Sequence, residues 1–289
     1  KLSLDGRAFG SFDDITLKIS GAKHESPLLA ADLKGEARIA KAITLQLDAT
    51  AEAPQLAQLA KAMNITAPAE AALGKARATT KISGTLDDLN FSNVNFEHNS
   101  GLLGLLFNGN ARLKNELTFA GNLTIAAPDL RKLAGAAGAQ LPAGDIYKSF
   151  SLSGQTSGGA KDVLLKNAVV QFDTIRGSGE AALSFAGANG KPRLTGTLTT
   201  GDINITPYAT ASGAPTDAPA AAATPGWGAT PIDLSPLRLA DAALVLKTGG
   251  ITFDKFDFGP TNIVVSLVGG KLTADLKQTS LFGGAGGAS

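Results

Sequence analysis

The sequence has no cysteine. Disulfides and thiolate metal sites are therefore excluded, and the chain suits either the cytoplasm or an oxidising compartment in which cysteine is avoided. Charge of one sign is also lacking: the formal net charge is +1, with no block of like charge. A nucleic-acid binder shows a basic patch or stripe, so nucleic acid is not an expected partner. Long apolar runs are missing as well. A membrane-spanning helix needs about 18 or more consecutive apolar residues, and the longest run here, Leu102 to Phe107, is interrupted by Gly104. The chain begins at Lys1 without a signal-peptide pattern and ends in the glycine-rich stretch Gly283 to Ser289. It reads as a piece of a larger protein, with any membrane contact made through parts outside it.

Patterns that carry catalysis are missing too. His24 and His98 have no metal-ligand spacing to one another or to further ligands, and both are expected as surface or loop histidines. Asp13-Asp14 and Asp87-Asp88 are carboxylate pairs, but general acid–base chemistry needs carboxyls converging in a pocket. Their place at a recurring turn assigns them to turn chemistry. No G-x-S-x-G or Walker A pattern occurs, and Gly177-Ser178-Gly179 is followed by a strand pattern, not a helix. A glycan-active enzyme would need clustered carboxylates and exposed aromatics, and only 13 Phe, 2 Tyr and 1 Trp are present. The expectation is a non-enzymatic protein with no cofactor and no metal.

What is present is repetition. Phe12-Asp13-Asp14-Ile15-Thr16-Leu17 matches Leu86-Asp87-Asp88-Leu89-Asn90-Phe91, and both match Ala160-Lys161-Asp162-Val163-Leu164-Leu165. The offset is 74 residues each time, and Gly10, Gly84 and Gly158 keep it. A second signal has the same period: Ala53-Pro54-Gln55-Leu56 aligns with Ala127-Pro128-Asp129-Leu130. Each proline can begin a helix, because its missing N–H is not needed in the first turn. Leu56 and Leu59, like Leu130 and Leu133, share one helical face. Short helices are predicted near 54–63 and 128–138. The register slips by about four residues near Gly109 and Gly179.

Between these marks apolar and polar residues alternate, and on a strand this gives one apolar and one wet face. The apolar positions are Ile15, Leu17 and Ile19; Leu45 and Leu47; Leu123 and Ile125; Leu183 and Phe185; Leu244 and Leu246; and Ile263, Val265 and Leu267. Gly109-Asn110, Gly187 to Gly190 and Gly269-Gly270 read as turns, the last as a hairpin. The run containing Leu102, Leu103, Leu105 and Phe107 is apolar on all sides. It reads as a buried strand or short core helix, or as an apolar patch touching lipid. Residues 209–226 are low in complexity and predict a loop. The expected organisation is a repetitive β region over 1–208, this loop, and a C-terminal β region over 227–289. Trp227 reads as an anchor of the loop or the core, with contact to a ligand as the alternative.

Ala127-Pro128-Asp129-Leu130-Arg131-Lys132-Leu133, Leu141-Pro142-Ala143 and Ser151-Leu152-Ser153-Gly154 resemble the bacterial AsmA family. So do Ile232-Asp233-Leu234-Ser235-Pro236-Leu237-Arg238, Gly269-Gly270-Lys271-Leu272 and Leu281-Phe282-Gly283-Gly284, with Trp227 shortly before them. The similarity spans most of residues 40 to 289. It implies a Gram-negative envelope protein, tethered to the inner membrane by a segment outside this chain, with its bulk in the periplasm. It implies a fold like that of the repeating-β-groove lipid-transfer proteins, without catalytic residues.

The expected fold is therefore mainly β: a long, curved, twisted antiparallel sheet forming an open apolar groove, with a few short helices. The apolar positions named above are the groove-lining candidates. The expected partners are phospholipid or another acyl lipid, and envelope proteins. The alternative is a structural or interaction module that fills its own core and supports outer-membrane protein assembly.

Overall fold

The computed structural model describes residues 1–65, 70–142, 144–187, 190–211, 240–281 and 284–288. Trp227, the Ile232 to Arg238 motif, Phe282-Gly283 and the loop from residue 212 on lie outside the described residues. The described residues are mainly β, with three short α-helices and one 3-10 turn, and the sheet structure is open. It divides into two compact units, Lys1–Ala139 with Ser149–Leu165, and Gln140–Lys148 with Lys166–Ser289.

The first unit holds nine strands: β1 (Leu2–Ser11), β2 (Asp14–Glu25), β3 (Ala30–Ile39), β4 (Ile43–Ala53), β5 (Lys75–Thr85), β6 (Asp88–Asn99), β7 (Gly104–Leu113), β8 (Leu117–Ala127) and β9 (Phe150–Gly159). Each pairs antiparallel with the next, from β1 to β9. Helices α1 (Leu56–Ala62) and α2 (Leu130–Ala136) follow β4 and β8. Pro54 and Pro128 stand just ahead of the N-caps Gln55 and Asp129, not at the first helical position as expected. Asp129 is the better cap: its carboxylate accepts the Lys132 N–H at 3.0 Å, satisfying one of the orphan donors of the first turn.

The sequence period is a period of strand register. Leu2 faces His24, and Ala76 faces His98; Ile39 faces Ile43, and Leu113 faces Leu117; Ala53 faces Ala76, and Ala127 faces Phe150. Every such pair is displaced by the same 74 residues. Gly10 and Gly84 have φ of +123° and +118°, and a Cβ there would lie about 2 Å from the Asp14 and Asp88 carbonyl oxygens. Only glycine avoids both the backbone penalty and the clash.

Three local expectations are corrected. Asp13 and Asp87 lie in the hairpin turns as expected, but Asp14 and Asp88 are already the first residues of β2 and β6. Each takes a two-pronged bond from an arginine 24 residues on: Arg38 Nε to Asp14 at 2.8 Å, Arg112 Nε to Asp88 at 2.7 Å. Gly109-Asn110 is inside β7, and the turn comes after Leu113. Gly109 faces Gly121, which is why a residue without a side chain stands there. Leu102 and Leu103 lie in the β6–β7 turn, where Ser100 Oγ accepts the Leu103 N–H at 3.0 Å, so the apolar run is neither one strand nor a helix.

In the second unit, β11 (Ile175–Ser184) pairs antiparallel with β12 (Arg193–Asn204). β12 pairs in parallel with β13 (Asp241–Phe253), which the antiparallel expectation missed. A parallel join needs a crossover in place of a tight turn, and residues 205–240 supply its length. β13 continues antiparallel to β15 (Thr261–Val268), then β16 (Lys271–Leu281) and β17 (Gly284–Ala288), while short β14 (Phe256–Phe258) pairs with β13 and β16. Gly269 and Gly270 form the β15–β16 hairpin with φ of +59° and +85°, the two positive angles of a type I′ turn. β10 (Asp162–Phe172) crosses the division between the units. A third helix, α3 (Thr206–Ala211), was not foreseen and carries the chain past residue 208; Asn204 Oδ1 accepts the Thr206 N–H at its start.

Candidate functional site

Residues paired directly across neighbouring strands share a face of the sheet. In the first unit one such row runs Ile19, Gly35, Leu47, Ile82, Phe91, Ala111, Phe119 and Gly158. The next runs Leu17, Ala37, Leu45, Gly84, Leu89, Leu113 and Leu117. A third runs Ala51, Ala78, Phe96, Phe107, Leu123 and Gly154. The only polar side chains paired on this face are His24, Thr80, His98 and Thr156. Every Asp, Glu, Lys and Arg of β1 to β9 falls on the opposite face.

Burial follows the same division. Along β8, Leu123 and Ile125 are half-buried while Asn122 and Thr124 are exposed, and β4 repeats this at Leu45 and Leu47. No large side chain among the described residues is fully buried. The apolar face is thus screened by its neighbours without being sealed.

The two ends of the face differ. At the helix end, Ala53, Ala72, Ala76, Ala127 and His98 are all buried, with His98 only 5% exposed. His98 Nε2 accepts the Gly74 N–H at 3.0 Å, and the Gly74 carbonyl accepts the Leu56 N–H at 3.0 Å. This histidine is therefore not the surface or loop residue expected from sequence; it fastens the linker between α1 and β5. Burial holds its pKa below the ordinary histidine value. His24, at the same place in the preceding copy, is exposed. At the hairpin end, Phe12, Leu86, Ile39, Ile43, Leu113 and Leu117 stand exposed to solvent. From β4 to β8 the face is therefore more deeply buried at the helix end than at the hairpin end.

Phe107 and Phe119 meet edge to face on it, centroids 5.9 Å apart. Of the expected lining residues, Ile15, Leu17, Ile19, Leu45, Leu47, Leu105, Phe107, Leu123 and Ile125 share this one face. Leu102 and Leu103 lie in the turn, outside the strand pairings that define the face. The residues missed include Ile82, Phe91, Val94, Phe96, Phe119 and Leu152. In β6 a bulge inserts residues between Phe91 and Val94, so strict alternation fails there although the face is kept.

In the second unit Leu183, Leu244, Leu246, Ile263, Val265 and Leu267 share one face, joined by Leu194, Leu198 and Leu276. Phe185 lies beyond the end of β11 and is exposed, so it does not line that face. Tyr147, Phe172 and Tyr208 cluster at centroid distances of 5.6 to 6.0 Å. The Asp173 carboxylate accepts the Tyr147 and Lys148 N–H groups and, at 3.0 Å, the Tyr208 hydroxyl. Burial, with Asp173 alongside, pushes the Tyr208 hydroxyl up to about 12.

The polar face offers little chemistry. A recess of about 360 Å³ lined by Glu52, Pro54, Lys75, Arg77 and Glu97 contains the Glu52–Arg77 ion pair at 2.9 Å. Among the described residues no three His, Asp or Glu side chains gather as metal ligands, and no helix is long and apolar enough to cross a membrane.

The chain matches no protein-family model, no curated protein and no solved structure.

Proposed function

We propose that this chain is a non-enzymatic lipid carrier of the Gram-negative envelope, holding phospholipid acyl chains on the apolar face of β1 to β9. In this reading it acts in the periplasm, moving lipid between inner and outer membrane, and is tethered by sequence outside this chain. The observation that carries the proposal is the charge-free face running across nine strands.

The physical argument is one of solvent cost. A lipid crossing water with roughly thirty methylenes exposed carries a penalty on the order of 20 kcal/mol, at about 0.8 kcal/mol per methylene. A continuous apolar strip removes most of that cost and needs no directional chemistry. A sheet must cover its apolar face with something, and half-buried side chains leave that need unmet. The alternative, a module that packs its own core, calls for fully buried large side chains, and the described residues have none. The resemblance to the AsmA family supports the compartment and the direction of the reading.

Native mass spectrometry of the purified full chain tests it. The expected spectrum shows phospholipid-sized adducts that survive gentle ionisation and are replaced after incubation with vesicles. A chain that is lipid-free as purified and takes up nothing from vesicles would refute the proposal.

A further inference from the structure

In the second unit the apolar face ends in a row of hydroxyls. Thr200, Thr248 and Thr261 pair in turn across β12, β13 and β15, and the Thr279 hydroxyl of β16 lies 3.0 Å from that of Thr261. Gly177 of β11 stands opposite Thr200. The row before this one is wholly apolar: Leu198, Leu246, Ile263 and Leu276 face one another across the same strands. Burial rises along the face toward the threonines. Leu194 and Leu272, at its far end, are exposed, whereas all four threonines are buried. Asp202, the next residue of β12 on this side, is exposed, so water is met again one row further on.

A threonine hydroxyl has one proton to give. Thr200 gives its proton to the Gly201 carbonyl at 3.0 Å, and Thr261 to the Gly259 carbonyl at 2.8 Å. With the Thr261 proton committed, Thr279 is the donor of the bond between the two. Thr248 alone keeps its proton: its Oγ1 is shut off from water and has no hydrogen-bond partner. A buried hydroxyl left unbonded is costly, and such a group calls for an explanation. The acceptor that answers it lies beside apolar side chains, and it is uncharged, because the row holds no charged side chain to balance an anion. An ester carbonyl joined to a hydrocarbon chain meets both conditions.

We propose that the Thr248 hydroxyl donates to an ester carbonyl of an acyl lipid whose hydrocarbon chain lies along this face of the second unit. The inference rests on the reading of the chain as a lipid carrier. It adds a second seat to that reading, and a chemical preference for ester-linked over ether-linked lipid. Along β12 the face runs from Thr200 to Leu194, roughly 20 Å at about 3.3 Å per residue. The hydrocarbon extends toward Leu194, the ester sits at the hydroxyl row, and the headgroup reaches water past Asp202.

The test offers the full chain vesicles with equal amounts of diacyl-ester and dialkyl-ether phosphatidylcholine of one chain length. The two lipids differ only in the carbonyls, and native mass spectrometry reads which is retained. The ester lipid is expected in excess, by up to about fivefold for one hydrogen bond. Thr248→Val keeps the shape and removes the donor, and it is expected to lower that excess; Thr248→Ser is expected to keep it. Thr200→Val, equally buried but with its proton committed to the backbone, is expected to keep it as well. Equal retention of both lipids, an excess that Thr248→Val leaves unchanged, or one that Thr200→Val lowers as much would overturn the proposal while leaving lipid carriage intact. A chain that retains neither lipid would overturn both readings.

Discussion

Phe107 and Phe119 touch edge to face across the β7–β8 pair because Gly109 and Gly121 face each other beside them. A Cβ on Gly109 would lie 2.3 Å from the Ala120 carbonyl oxygen, 2.6 Å from Gly121 Cα and 2.8 Å from the Phe107 ring. Gly109→Val therefore displaces both backbone and ring. Overpacking of this kind costs about 1–3 kcal/mol, and a lowered urea midpoint with altered near-ultraviolet aromatic signals is the expected result. Gly101→Ala, at a turn with open space around it, is the comparison for generic glycine effects, allowing for its φ of +79°.

The apolar face should answer to charge where the wet face does not. Leu47→Lys and Ile82→Lys place an ammonium in the middle row; Gln46→Lys and Ser83→Lys place it one residue away on the wet side. Lipid recovered per mole of protein is expected to fall severalfold in the first two and stay at the unmodified level in the others. Equal loss in all four would mean that the face is not where lipid sits.

The Asp88–Arg112 pair gives a pH dependence. Arg112 bonding, with Lys114 nearby, lowers the Asp88 pKa to about 2 from an ordinary carboxylate value near 3.8. A depressed folded-state pKa stabilises above the unfolded value and is lost as pH falls through the folded one. The stability difference between the unmodified chain and Asp88→Asn should thus be constant above pH about 5, shrink below it and be lost only as pH falls through about 2. Chemical denaturation at stepped pH reads this directly. Arg112 is exposed and Asp88 only half-buried, so a small difference that salt weakens is expected.

His98 works with the opposite proton balance. Burial disfavours its charged form, so the unfolded chain binds the proton more readily and stability falls as pH drops below the unfolded value near 6.5. The protonated ring also loses its acceptor for the Gly74 N–H. Melting temperature is expected to decline between pH 7.5 and 5.5, and the decline to be reduced in His98→Gln, whose side-chain oxygen is an acceptor at every pH.

Much of this arrangement was legible in the sequence. Alternation at Ile15, Leu17 and Ile19, at Leu45 and Leu47, and at Leu123 and Ile125 placed those residues on one face because period-two patterning is all a regular strand needs. The same reasoning failed where the strand is irregular. Phe91, Val94 and Phe96 lie on the face, but the bulge at Ser92-Asn93, with Asn93 at φ +53°, breaks the period that would have revealed them. Gly109 was misread as a turn because a glycine required for close backbone approach looks, in sequence, like one required for a bend. His98 carried no local signal: its burial depends on Gly74, 24 residues away, reaching its ring nitrogen. The parallel β12–β13 join was invisible for a related reason, since direction is decided by a connection and not by either strand.

The constancy of the 74-residue register has an evolutionary and an engineering reading. Since β4 meets β5 as β8 meets β9, removal of residues 75–148 leaves β4 facing β9 with the partners β8 now provides. The β4–β5 and β8–β9 junctions share one register, so a whole copy can be gained or lost by recombination without a new strand register having to be invented. In such a protein size is a matter of counting, and its reach can change by a full step in a single genetic event.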